Sequence, residues 1–100
     1  MALKVRVFCN AGMSTSMLVT KIKEVAKKRG LELDIVAFPL AEFEDKSKDA
    51  DVILLGPQVG YAKKDYQGKA GGIPLEVIPM VDYGMMNGEK VLDFALGLKK

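Results

Sequence analysis

The sequence predicts an α/β fold, a small parallel sheet with helices on both faces. Three observations predict it. Short apolar or β-branched runs alternate with stretches of helical periodicity, the pattern of strand–helix–strand units whose right-handed crossovers cover both sheet faces. One run, Val52-Ile53-Leu54-Leu55, is apolar throughout, as a strand buried on both faces must be. The chain has 100 residues, 49% of them apolar and 28% charged, which suits one compact domain with a real core, so residues 1–100 are read as a single domain.

The elements follow in order. Val5-Arg6-Val7-Phe8 reads as the first strand. In the helix after it, Met17, Leu18, Ile22, Val25 and Ala26 recur at three-to-four spacing and form the face expected to be buried, Met17 included. Ser14, Thr15 and Ser16 are candidate N-caps, Lys27, Lys28 and Arg29 complement the negative end of the dipole, and Gly30 supplies a left-handed stop. Leu33-Asp34-Ile35-Val36-Ala37 reads as the second strand and Val52–Leu55 as the third. Between them a helix is expected over 41–48, with Glu42, Glu44, Asp45, Lys46 and Lys48 on a solvated face. Another is expected over 61–68, with Lys63 and Lys64 simply solvated, and Gly68-Lys69-Ala70-Gly71-Gly72 as a loop tip. Leu75-Glu76-Val77-Ile78 is the fourth strand, and Asn87 caps a last helix whose buried stripe is Val91, Leu92, Ala95 and Leu98.

Composition excludes several classes. Fifteen basic against 13 acidic side chains give a formal charge of +2, too even for binding driven by phosphate neutralisation, so no nucleic-acid partner is expected. No apolar run approaches the ~20 residues that span a bilayer. The opening Met1-Ala2-Leu3-Lys4 leads straight into a strand-like run, so no signal peptide and no membrane insertion are expected. A cytoplasmic, freestanding subunit is expected; the sequence does not give the oligomeric state, and a monomer is a guess. Histidine is absent, which removes a His base, a His ligand and a His phosphoryl carrier. The single cysteine, Cys9, can form neither an internal disulfide nor a zinc site alone, and fits a reducing compartment. No metal or cofactor is called for: the Gly-rich nucleotide motifs are missing after the first strand. Gly56-Pro57 and Cys9-Asn10 stand where an aspartate-phosphorylated receiver needs acids.

The chemistry concentrates in Phe8-Cys9-Asn10-Ala11-Gly12-Met13-Ser14-Thr15-Ser16, which passes from a strand end through a small-residue loop into a helix start. Such a turn aims backbone N–H groups at one point, and the helix dipole adds positive potential there. Ala11 and Gly12 let the backbone close around an anion, and Ser14, Thr15 and Ser16 offer hydroxyl donors. The result is a phosphate-sized cradle with the Cys9 thiol at its entrance. Cysteines at helix N-termini favour the thiolate, which is the nucleophilic form. A lone cysteine is more often just a small buried apolar residue, but the loop behind this one favours a phosphoryl acceptor forming phosphocysteine. Low-molecular-weight tyrosine phosphatases place an arginine six residues after such a cysteine; here that position is Thr15, followed by Ser16. Without the clamp that stabilises the transferring group, and with only Asp82 to nominate as leaving-group acid, the loop should hold a phosphoryl group rather than hydrolyse it. A cysteine-dependent phosphatase or oxyanion reductase is the alternative reading.

The loop Phe8–Val19, together with Ala37-Phe38-Pro39, Asp51-Val52-Ile53-Leu54-Leu55-Gly56-Pro57-Gln58-Val59-Gly60-Tyr61 and Asp82-Tyr83-Gly84, resembles the enzyme IIB subunits of the sugar phosphotransferase system, lactose/cellobiose (diacetylchitobiose) family. The resemblance runs in register over essentially the whole chain, with Asn10 where the family often has serine. It implies an open four-stranded sheet in the order 2-1-3-4, similar to a low-molecular-weight tyrosine phosphatase or a truncated flavodoxin-like fold. It implies that phosphohistidine of enzyme IIA passes its phosphoryl group to Cys9. The group then goes to a sugar, of the class of cellobiose, lactose or diacetylchitobiose, held by membrane enzyme IIC. In the 2-1-3-4 order Cys9 and Gly56-Pro57-Gln58 meet at the crevice where chain direction reverses. Pro57, Gln58, Tyr61 and Tyr83 are candidate rim or partner contacts. Met13, Met17, Met80, Met85 and Met86 are a candidate adaptable surface, set against the core role that the helical stripe gives Met17.

Overall fold

The computed structural model describes residues 2–10 and 12–98; the side chains of residues 12–14 also lie outside the described set. Among the described residues four strands form one sheet: β1 (Leu3–Cys9), β2 (Leu33–Pro39), β3 (Val52–Leu55) and β4 (Leu75–Val77). Every pairing is parallel and the order is β2-β1-β3-β4, as expected. The register sets Val5 between Ile35 and Val52, Phe8 between Phe38 and Leu55, and Cys9 beside Pro39.

β1 and β2 extend beyond their apolar runs because parallel pairing along their whole length carries polar residues into the ladder. One of them is Arg6, only 6% exposed. Its guanidinium donates to the carbonyls of Val5 and Asp34 at 3.2 and 2.8 Å and to the carboxylates of Asp34 and Asp49 at 3.4 and 3.3 Å. Those acceptors replace the water that a buried charge otherwise lacks. β4 ends one residue early: Ile78 is buried and its N–H still reaches the Leu55 carbonyl, but Pro79 follows and cannot donate.

Side chains alternate across the sheet. On one face Val5, Val7, Val52 and Leu54 meet Leu18, Val19, Ile22 and Ala26 of α1 (Gly12–Lys28) and Val91, Leu92 and Ala95 of α5 (Gly88–Leu98). The apolar face of α1 is rotated from the expected one. Thr15, Leu18, Val19, Ile22 and Ala26 make the buried stripe, and Met17, a hundred degrees from Leu18, is 56% exposed. Gly30 takes the left-handed conformation at φ +70°, while Leu31 N–H closes back on the Ala26 carbonyl. Asn87 caps α5 as expected, its Oδ1 accepting from Lys90 N–H at 3.1 Å. Gly88 lets the two helices touch: a β-carbon there would lie 2.9–3.0 Å from backbone atoms of Lys21 and Ile22.

The other face is covered by shorter pieces. The segment 41–48 is a 3₁₀ turn at Leu40–Glu42 followed by one turn of helix, α2 (Phe43–Lys46), rather than a continuous helix. Glu44, Asp45, Lys46 and Lys48 are exposed as expected and Glu42 is half-buried, but Phe43 is 1% exposed and anchors the segment, with ring centroids 4.9 Å from Phe8 and 4.7 Å from Tyr66. A 3₁₀ turn at Pro57–Ala62 leads into α3 (Lys63–Lys69). Lys63 is not merely solvated, for its ammonium sits 2.6 Å from the Glu76 carboxylate. That partner holds the Glu76 carboxyl below its ordinary range. A short helix absent from the expectations, α4 (Met80–Gly84), links β4 to α5. Among the described residues no helix is long and apolar enough to cross a membrane.

Candidate functional site

Cys9 is the last residue of the central strand, on the face covered by α1 and α5. A cleft of about 140 Å³ opens there, lined by Cys9, Asn10, Ser16, Ala37, Phe38 and Pro39. That volume is several times the ~30 Å³ one water occupies in the liquid, enough for a tetrahedral oxyanion. Cys9 is 2% exposed, so the thiol lies at the floor of the cleft rather than at its entrance. The reason is pairing: the residue is still in the ladder, beside Pro39, while Gly56 closes the other side through its N–H bond to the Phe8 carbonyl at 2.9 Å.

α1 begins at Gly12, three residues past Cys9 and earlier than the expected caps. Its first-turn N–H groups have no partners within the helix, and the positive end of the dipole lies at this point. Among the described lining residues there is no carboxylate to oppose an anion.

Individual candidates separate. Asn10 is exposed and lines the cleft, as does Ser16. Ala11 and the side chains of Gly12, Met13 and Ser14 lie outside the described residues. Thr15 does not offer its hydroxyl to the cleft. It is fully buried, and its Oγ1 is 2.9 Å from the Tyr83 hydroxyl. Tyr83 is correspondingly not a rim contact: it turns inward, 8% exposed, into the core beneath α1. Helical periodicity carries both away from the surface, since Thr15 belongs to the buried stripe of α1 and Tyr83 is the inward residue of α4.

Gln58 is exposed, yet its Oε1 lies 2.7 Å and the Cys9 Cβ 3.2 Å from where a β-carbon on Gly56 would stand, so both side chains share one notch. Pro57 starts the 3₁₀ turn and is half-buried, and Tyr61 is 81% exposed. Met80 and Met85 are both 72% exposed, whereas Met86 is half-buried against the core. The expected strand order already brought Gly56-Pro57-Gln58 to this rim, but sequence reasoning did not place the end of β2 in the site. The signal for that was strand register, since only pairing sets Ala37-Phe38-Pro39 beside Cys9.

A parallel 2-1-3-4 sheet with a cysteine at the end of its first strand and a helix N-terminus behind it defines an α/β protein with a cysteine-based oxyanion site. The fold is shared with the lactose-specific IIB component domain of the phosphoenolpyruvate:carbohydrate phosphotransferase system from Streptococcus pneumoniae (TM-score 0.90, 23% identity, 100% of both chains). It is shared too with the cellobiose-specific phosphotransferase IIB component of Borrelia burgdorferi (TM-score 0.81, 38% identity, 98% of this chain and 92% of that one). Residues 4–94 match the family described as PTS system, Lactose/Cellobiose specific IIB subunit. Curated relatives include the galactose-specific EIIB component of Lactococcus lactis subsp. cremoris (44% identical, 90% of each chain). Another is the oligo-beta-mannoside-specific EIIB component of Bacillus subtilis (41% identical, 95% of this chain, 94% of the relative). The chain therefore belongs to the lactose/cellobiose-specific IIB family of the sugar phosphotransferase system, and is a phosphoryl carrier acting as a sugar phosphotransferase.

Proposed function

We propose that Cys9 is the residue that carries the phosphoryl group, that phosphohistidine of an enzyme IIA loads it, and that a sugar held by a membrane enzyme IIC unloads it. In the first step the Cys9 sulfur attacks phosphorus, an S–P bond forms and the P–N bond of phosphohistidine breaks. The bonding pair returns to the imidazole nitrogen, and the thiol proton ends on the imidazole. In the second step a sugar hydroxyl oxygen attacks phosphorus, the S–P bond breaks and the hydroxyl proton restores the thiol. The N–H groups of the Asn10–Ser16 segment, backed by the dipole of α1, hold the phosphoryl oxygens in both transfers. Asn10 and Ser16 stand at the cleft, and Gln58 borders it through the Gly56 notch. The missing arginine at position 15 disfavours transfer to water, so the ester persists until a sugar arrives.

The observation that carries this reading is the single cysteine of a histidine-free chain at the floor of an oxyanion-sized cleft beside a helix N-terminus. Residues 1–100 act as one IIB domain at the cytoplasmic side of the transporter. The relatives' names span galactose, cellobiose and oligo-beta-mannoside. Cellobiose among those names, with the lactose/cellobiose description of the family, supports a β-linked disaccharide such as cellobiose, lactose or diacetylchitobiose as the sugar class.

The test is incubation with phosphoenolpyruvate, the general phosphotransferase proteins and a cognate enzyme IIA, followed by intact-mass and site-mapping analysis. The expected product carries one phosphoryl group on Cys9. Phosphate on any other residue would overturn the reading.

A further inference from the structure

The Thr15–Tyr83 hydrogen bond is an interaction that core packing does not require. The two hydroxyls are 68 residues apart, 2.9 Å from each other, and enclosed by the apolar core under α1. Valine and phenylalanine would fill the same space with nothing left to satisfy, and replacing both members of such a pair is close to neutral for stability. What the pair supplies instead is direction. It ties the fourth residue of α1 to α4, and a shift of that first turn moves its N–H groups relative to Cys9.

The anchor at the other end is held firmly. α4 closes with Met86 N–H on the Tyr83 carbonyl at 3.1 Å and Asn87 N–H on the Asp82 carbonyl at 2.9 Å. Those bonds need a left-handed residue after the helix, a place glycine usually fills. Here Met86 takes it at φ +53°, an uncommon conformation for a side-chain-bearing residue, with its side chain packed on the same core. The strain is tolerated where it fixes the backbone around Tyr83.

We propose that Tyr83 is a positioning residue for phosphoryl transfer: through Thr15 it sets where the N-terminal turn of α1 stands over Cys9. This rests on the carrier reading above. A displacement of about 1 Å at a reacting centre can cost on the order of a hundredfold in rate, so a tether that removes such play bears on kcat more than on donor binding.

The experiment compares the wild type with Tyr83→Phe, Thr15→Val, the double variant and Thr15→Ser. Thermal unfolding is recorded for each, and phosphoryl acceptance from a phosphorylated enzyme IIA is resolved into kcat and KM per folded molecule. The expected result is kcat lowered about tenfold or more in Tyr83→Phe and in the double variant. KM for the donor should stay near that of the wild type, the double variant should keep its thermal midpoint, and Thr15→Ser should restore kcat because it keeps the hydroxyl. Should the double variant not fold, Tyr83→Phe, which removes only one oxygen atom, carries the test. Wild-type kcat in Tyr83→Phe, with Cys9 phosphorylated in the parent protein, overturns this inference alone. Absence of phosphate on wild-type Cys9 overturns the carrier reading and this inference with it.

Discussion

The two faces of the sheet are built differently. One is covered by α1 and α5, helices of 17 and 11 residues whose backbones touch at Gly88. The other is covered by α2 and α3, of four and seven residues, and is held by an aromatic cluster of Phe8, Phe38, Phe43 and Tyr66. Both faces are packed, but the cleft, the cysteine and the buried Thr15–Tyr83 pair all belong to the long-helix face. A long helix gathers enough aligned peptide dipoles, on a rigid enough support, to present an anion site at its N-terminus. Helices of one or two turns, held by an aromatic cluster, supply packing and little field.

Substitutions can break that contrast. The largest effect on transfer is expected from Cys9→Ser, which changes one atom on the helix face: phosphoryl acceptance falls to background while the thermal midpoint stays close to that of the wild type. Wild-type flux would show that the chemistry lies elsewhere. Phe43→Ala is the mirror experiment on the other face. Emptying the space of a ring 1% exposed should cost about 3–5 kcal/mol by denaturant unfolding, yet the folded fraction should transfer at the wild-type rate. A kcat loss per folded molecule would mean that the aromatic face also shapes the cleft. Gly88→Ala should lie between, destabilising by about 1–3 kcal/mol because its new methyl meets backbone that only a shift of α5 against α1 can relieve.

The smallest effect sharpens the comparison at the edge of the short-helix layer. Hydrogen bonding to Lys63 is the main cause lowering the Glu76 carboxyl pKa, opposed by burial. A carboxyl lowered in the folded state stabilises above its unfolded value and loses that contribution as pH falls through the folded one. Glu76→Gln should therefore lower the thermal midpoint slightly at neutral pH, the pair being half-solvated and worth about 1 kcal/mol or less. The difference from wild type should vanish in acid. A difference that persists at low pH would assign it to something other than the ion pair.

The contrast between the faces also explains what was legible in the sequence. The strands, α1, α5, the Gly30 stop and the Asn87 cap follow from local patterns strong enough to survive packing, while the strand order came from the family resemblance. The short helices were read less well, because an amphipathic signal needs more turns than α2 or α4 contain, and Phe43 rather than periodicity decides where α2 sits. Cys9 and its loop could be singled out from residue types alone. The orientation of Thr15, the inward turn of Tyr83 and the exposure of Met17 could not, since each depends on how α1 is rotated over the sheet. Ala37-Phe38-Pro39 enters the site only through register between β1 and β2, strands far apart in sequence.

The thiol is deeply set, so chemical access to it is the most direct probe of the whole account. Alkylation of Cys9 by a small neutral reagent should be measured by peptide mass spectrometry before phosphoryl loading, after loading by enzyme IIA, and after discharge to sugar and enzyme IIC. The account predicts slow but complete modification of the free protein through the cleft, protection in the loaded protein and recovery after discharge. Equal modification in all three states would contradict it.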